Sequence, residues 1–79
     1  MYKVLVVEDS LTVRKIVNKL IEDNPHFTCD LCEDLAEGKS ALESDTEYLA
    51  AIVDLNLPDA PNGESVELAL SYNVPTIVL

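Results

Sequence analysis

Three carboxylates in this sequence stand where chemistry is to be expected. Glu8 and Asp9 follow directly on the apolar run Val4 to Val7, and Asp54 follows directly on the run Leu49 to Val53. Acidic side chains ordinarily sit in solvent, so acids hard against two runs that read as buried need a reason. If the two runs are neighbouring strands, the three carboxylates converge. Two like charges 4 Å apart repel by roughly 4 kcal/mol at an effective dielectric of about 20. Such a cluster calls for a cation or for raised pKa values. Oxygen donors suit a hard divalent ion. Mg²⁺ fits best, because it takes one or two carboxylates and keeps waters and substrate phosphate oxygens as its other ligands. Glu8 and Asp9 alone have a plainer reading, as solvated acids favoured by the dipole of a following helix. Asp54 at a matching position tells against it.

The other candidates are weaker. Cys29 and Cys32 form a C-x-x-C, and His26 is the only histidine. A redox pair of this spacing works at a helix N-terminus, where the thiolate is stabilised. Here Asp30, Glu33 and Asp34 surround it with negative charge. A structural zinc site needs four ligands, and two cysteines with one histidine do not supply them. The expectation is a buried Cys29, a second thiol near a strand end, and a surface His26. Tyr48 and Tyr72 read as packing residues, and residues 44–47 as a solvated turn.

The elements that must position the acids are legible from periodicity. Lys3 to Val7 reads as a strand buried on both faces, the habit of parallel sheets. Ser10 can cap the helix that follows. Val13, Ile16, Val17, Leu20 and Ile21 form its apolar face, with Arg14, Lys15, Asn18 and Lys19 on the other. Asn24-Pro25 ends it. Phe27 to Cys32 alternates, with Phe27, Cys29 and Leu31 on one side, and so belongs at a sheet edge. Leu35 to Leu42 is a short helix weakened by Gly38. Leu49 to Val53 is a second buried-type strand. Residues 55–63 are a loop with two prolines. Glu64 to Tyr72 is a helix with Val66, Ala69 and Leu70 inward, closed by Asn73. Thr76 to Leu79 starts a fourth strand. The order β-α-β-α-β-α-β implies an α/β fold: a doubly wound parallel sheet with helices on both faces.

Bulk composition narrows the function classes. The chain has 79 residues, enough for one modest core. Hydrophobic content of 48% with 25% charged residues is globular rather than disordered. Five basic residues against fifteen acidic ones give a net charge of −10, which repels nucleic-acid phosphates and anionic lipid. A partner role for nucleic acid or membrane is therefore not expected. No apolar run approaches the ~20 residues of a membrane span. The segment MYKVLVVED lacks a signal peptide's layout, so the expected location is the cytoplasm.

VLVVEDS, then VDLNLP, then PTIVL, in this order and spacing, resemble the receiver domain of two-component response regulators. That resemblance implies a flavodoxin-like fold of five strands in order 2-1-3-4-5, of which this chain would supply the 2-1-3-4 part. It implies that Asp54 is the phosphoacceptor and that Glu8 and Asp9 help to hold Mg²⁺. It implies that the backbone carbonyl of Asn56 completes the metal site, with Leu57-Pro58 turning the loop. The domain would accept a phosphoryl group from a histidine kinase or phosphotransfer protein, and would not itself be an enzyme. Its change would pass to an output domain of the same protein.

Some family features fall outside the sequence. The family's Ser/Thr after the fourth strand, its Lys after the fifth strand and its last two helices have no counterpart in residues 1–79, which therefore read as a partial receiver domain. Lys3, Lys15, Lys19 and Lys39 match other places. Gly63 lies one residue further from Pro58 than the family's usual spacing. The fourth strand would be an open apolar edge beneath incomplete helix cover, so self-association through residues 74–79 is expected. Two other readings differ in class. A flavodoxin-like FMN binder needs a phosphate-cradling loop where EDSLT places two negative charges. A receiver-like interaction module that is never phosphorylated would be marked by loss of the acid pair or of Asp54, and all three are present.

Overall fold

A computed structural model describes all 79 residues, Met1–Leu79. Seven elements alternate: β1 (Tyr2–Val7), α1 (Leu11–Glu22), β2 (Phe27–Cys32), α2 (Leu35–Glu43), β3 (Tyr48–Val53), α3 (Glu64–Ser71) and β4 (Thr76–Val78). The strands form one parallel sheet in the order β2-β1-β3-β4. This is the expected flavodoxin-like arrangement, with four strands and three helices. The chain winds outward from β1 to β2 and then returns across β1 to β3, so the direction of winding reverses between β1 and β3. None of the helices is long and apolar enough to cross a membrane.

β1 and β3 are central because their residues are apolar on both faces. Leu5 and Val6 are adjacent in β1 and point to opposite sides, yet both are fully inaccessible. β2 is an edge strand, as its alternation implies. One sheet face carries α2 and α3. There Leu5 and Val7 of β1 and Ala51 and Val53 of β3 pack with Leu42, Ala69 and Val74 into a single core. Gly38 of α2 is buried in this layer, and a Cβ there would meet Val7 Cγ2 at 3.0 Å. The glycine that weakens the helix in isolation thus sets how closely α2 approaches β1.

The opposite face is covered by α1 alone. Ser10 caps this helix, accepting from the Val13 N–H at 3.3 Å. The predicted apolar stripe is wider than the face that is covered: Ile16 and Leu20 are 55% and 69% exposed. Beside α1 lies an open groove of about 390 Å³, lined by Val4, Leu20, Ile21, Phe27, Ile52 and Ile77 among others. Arg14, assigned by type to the solvent face, is instead largely covered, with 13% of its side chain exposed.

Two further expectations need correction. Cys32 is the buried cysteine, on the α2 face, and Cys29 is half-buried; Leu31 is 42% exposed because the sheet edge has no cover over it. In α3 the inner face runs through Ser65, Val66, Leu68 and Ala69, and Leu70 is 54% exposed. Asn73 does end α3. It adopts φ 58°, donates to the Leu70 carbonyl at 2.9 Å, and lets Val74 donate to Ala69 at 3.2 Å, the paired bonds of a Schellman stop.

Candidate metal centre

The acids meet because of strand register. Val7 of β1 lies opposite Val53 of β3, so the next residues, Glu8 and Asp54, leave the sheet side by side. The Asp54 N–H donates to the Val7 carbonyl at 2.9 Å, and the Glu8 N–H donates to the Cys32 carbonyl at 3.0 Å. Both bonds continue the ladder one step past the strands and hold these residues against the sheet end. The carboxylate oxygens of Glu8, Asp9 and Asp54 lie within 4.8 Å of one another. The adjacency expected from the matching strand ends is therefore present, at the point where the winding reverses.

The three acids differ in environment. Glu8 is 6% exposed, Asp54 is half-buried and Asp9 is exposed. Burial, with a hydrogen bond to Asp54 and that residue's charge adding to it, pushes the Glu8 carboxyl up from 4.5 to about 7. The N–H of Ser10, 3.4 Å from Glu8 Oε1, opposes this only weakly. Without a cation, the pocket is thus short of positive charge. An all-oxygen, carboxylate-rich donor set fits a hard divalent ion such as Mg²⁺, and binding one would restore Glu8 to its ionised form.

Beyond its N–H bond to Val7, two more bonds hold Asp54. Its Oδ1 accepts from the Asn56 N–H at 3.1 Å. Its carbonyl accepts from the hydroxyl of Ser65, which is 2% exposed, at 2.6 Å. The loop that follows is closed by the Gly63 N–H donating to Leu55 at 3.0 Å, with Gly63 at φ 78°, where only glycine sits without strain. Inside that loop Leu57 and Ala60 exchange N–H···O bonds of 3.2 and 3.1 Å and are both sealed from solvent. Asp59 then clamps the loop to α2, accepting from Leu35 N–H at 2.9 Å and Ala36 N–H at 3.1 Å. These bonds hold its carboxyl below the usual range.

Sequence reasoning missed Arg14. One guanidinium nitrogen, Nη1, donates to the carbonyls of Glu8 at 2.7 Å and Asp9 at 3.0 Å, and Nη2 lies 3.8 Å from Glu33 Oε2. The available signal was position: a long side chain in the first turn of a helix points back over the preceding loop. Neither cysteine joins the site. Burial pushes both thiols up to about 11, and they lie on opposite faces of β2.

No protein-family model matches the chain, and no curated protein matches it in sequence. Solved structures do match it. Two structures of two-component system response regulator/GGDEF domain proteins superpose with a TM-score of 0.85 at 38% identity, over 99% of this chain and 31% of theirs. A sensor protein from Polaromonas sp. JS666 superposes with a TM-score of 0.73 at 28% identity, over 98% of this chain and 63% of that one. The fold of residues 1–79 is that of a response-regulator receiver domain, as the three sequence motifs imply. The chain spans about a third of the length of the two response regulators it matches.

Proposed function

We propose that residues 1–79 form part of a receiver domain that accepts a phosphoryl group on Asp54 and signals to an output segment of the same protein. In this reading Mg²⁺ is held by Glu8, Asp9, Asp54 and the backbone carbonyl of Asn56. One observation carries it: the three carboxylates gather within 4.8 Å at the switch point of a receiver fold. The donor is a phosphohistidine on a kinase or phosphotransfer protein, or a small acyl phosphate. The P–N bond of the phosphohistidine breaks, an O–P bond forms at Asp54, and the electron pair leaves on the imidazole nitrogen.

The chain's own residues supply orientation. The Asn56 N–H pins Oδ1 of Asp54 and leaves the second oxygen for phosphorus. The Ser65 hydroxyl and the β1 ladder fix the backbone beneath it. A divalent ion held by Glu8, Asp9 and Asp54 would neutralise charge on the transferring oxygens. The domain is an acceptor rather than an enzyme and works in the cytoplasm beside its kinase. In the intact protein, replacement of Asp54 by Asn should abolish incorporation of label from a phosphorylated kinase or acyl phosphate, and chelation of Mg²⁺ should do the same to the unaltered protein. Labelling of Asp54→Asn at normal stoichiometry would refute the assignment.

A further inference from the structure

We infer that Arg14 is the positioning residue of this metal centre: by gripping two successive carbonyls it bends the chain so that Glu8 and Asp9 both face Asp54. The inference rests on the function proposed above.

The geometric problem is specific. In an extended strand, successive side chains point to opposite faces, and so do successive carbonyls. Were β1 to continue, Glu8 and Asp9 would diverge and only one could approach Asp54. The strand ends at Val7, and the carboxylates of both residues come within 4.8 Å of Asp54 and of each other. The carbonyls of Glu8 and Asp9 converge correspondingly on one atom, Arg14 Nη1. Two consecutive carbonyls on a single donor are incompatible with strand geometry, so the bond pair holds the bend.

Arg14 suits the task. It lies in the first turn of α1, and its side chain runs back toward the helix N-terminus. Its side chain is mostly covered, and the shorter of its two bonds, to the Glu8 carbonyl, is partly buried, while that to Asp9 lies at the surface. The planar fork lets Nη1 hold the carbonyls while Nη2 faces Glu33 in the β2–α2 loop. Ser10 caps α1 but touches neither carbonyl, and the remaining cations, Lys3, Lys15, Lys19 and Lys39, make no bond to this turn. Glu33 is 61% exposed at its side chain and 3.8 Å away, so it steers the guanidinium and contributes little to holding the bend.

The test compares divalent-ion affinity among folded variants of the protein, with Mn²⁺ followed by electron paramagnetic resonance and Mg²⁺ by calorimetry. Arg14→Met keeps the stem and removes the donors. It should weaken binding about 10–100-fold, the usual effect of losing a group that orients metal ligands. Glu33→Gln should stay within about twofold of the unaltered protein, since exposed ion pairs contribute little. Leu42→Ala, which opens the core at the far end of α2 beside Thr46, Tyr48 and Tyr72, controls for lost stability and should leave affinity unchanged. Amide hydrogen exchange at Glu8, Asp9 and Ser10 should quicken in Arg14→Met and not in Leu42→Ala. Affinity of a folded Arg14→Met equal to that of the unaltered protein overturns the inference, as does an equal loss in Leu42→Ala. If Arg14→Met does not fold, Arg14→Gln decides: it stays polar but is too short to reach the two carbonyls, and undiminished affinity there overturns the inference. Absence of saturable binding by the unaltered protein is a different result, and overturns the proposed metal site itself.

Discussion

Glu8 is an acid kept where its charge is costly. With 6% exposure and Asp54 beside it, its carboxyl sits at about 7 in the folded, metal-free protein against 4.5 ordinarily. Between those values the folded state retains a proton that the unfolded chain has released. Stability therefore falls as pH rises from about 4.5 to about 7, and the loss is complete above that window. Glu8→Gln removes the charge at nearly constant shape. At pH 8, with chelator present, the variant should be more stable than the unaltered protein by about 3 kcal/mol, since one pKa unit corresponds to about 1.4 kcal/mol. At pH 4 the difference should vanish. Urea denaturation at the two pH values measures both quantities, and a variant no more stable at pH 8 would contradict the account of Glu8. The same substitution should weaken Mg²⁺ binding, because the anion that destabilises the empty pocket is what attracts the ion. Stability and ligand affinity are opposed at this one position.

At the scale of elements, α2 shows how packing overrides propensity. Alanine at position 38 would favour the isolated helix by about 1 kcal/mol. In the fold its Cβ would lie 3.0 Å from Val7 Cγ2, and Val7 is 3% exposed and hemmed in by the core. Overpacking of this kind costs about 1–3 kcal/mol. Gly38→Ala should therefore be net destabilising by about 1 kcal/mol, read as a lower urea midpoint with unchanged slope; a raised midpoint would show that Val7 can yield. The same contrast explains which elements could be read from sequence. The β1 and β3 runs were legible because burial on both faces leaves no polar position, and their terminal acids stood out for that reason. The alternation of β2 disclosed its edge place. The covered face of α1 was not legible, since periodicity records where apolar residues lie and not which of them a neighbour covers; Leu20 lines the open groove and Ile16 is exposed. Leu70 was misplaced for the same reason. Arg14 was hidden by its type: a charged residue counts as exposed although its stem can lie on protein and its head on carbonyls. Leu57 and Ala60 follow no repeating period, so their fully buried turn left no trace in a pattern search.

At the scale of the molecule, the two sheet edges are treated differently. On β2, Glu22 reaches the strand and accepts from the Cys29 N–H and the Thr28 hydroxyl, both at 3.2 Å, which blunts that edge. No side chain does this for β4, where Ile77, 56% exposed, borders the groove along α1 and Val78 is 45% exposed on the other face. An open strand next to an apolar trough can accept another strand and bury its side chains together. A net charge of −10 opposes the approach of two copies. The balance then depends on ionic strength, because the Debye length falls from about 10 Å at 0.1 M to about 3 Å at 1 M. A molecule of these 79 residues alone should associate with itself through residues 74–79, weakly at low salt and more strongly as salt rises. Ile77→Lys places a cation where strand and trough meet, and should reduce association at high salt even though it lowers the net negative charge. Sedimentation velocity across a concentration series reads both effects. Charge repulsion alone predicts the opposite order, with Ile77→Lys the more associated species, so the ranking of the two proteins at matched ionic strength separates strand pairing from simple relief of repulsion. A clean monomer at high concentration in high salt would remove the strand-pairing account altogether.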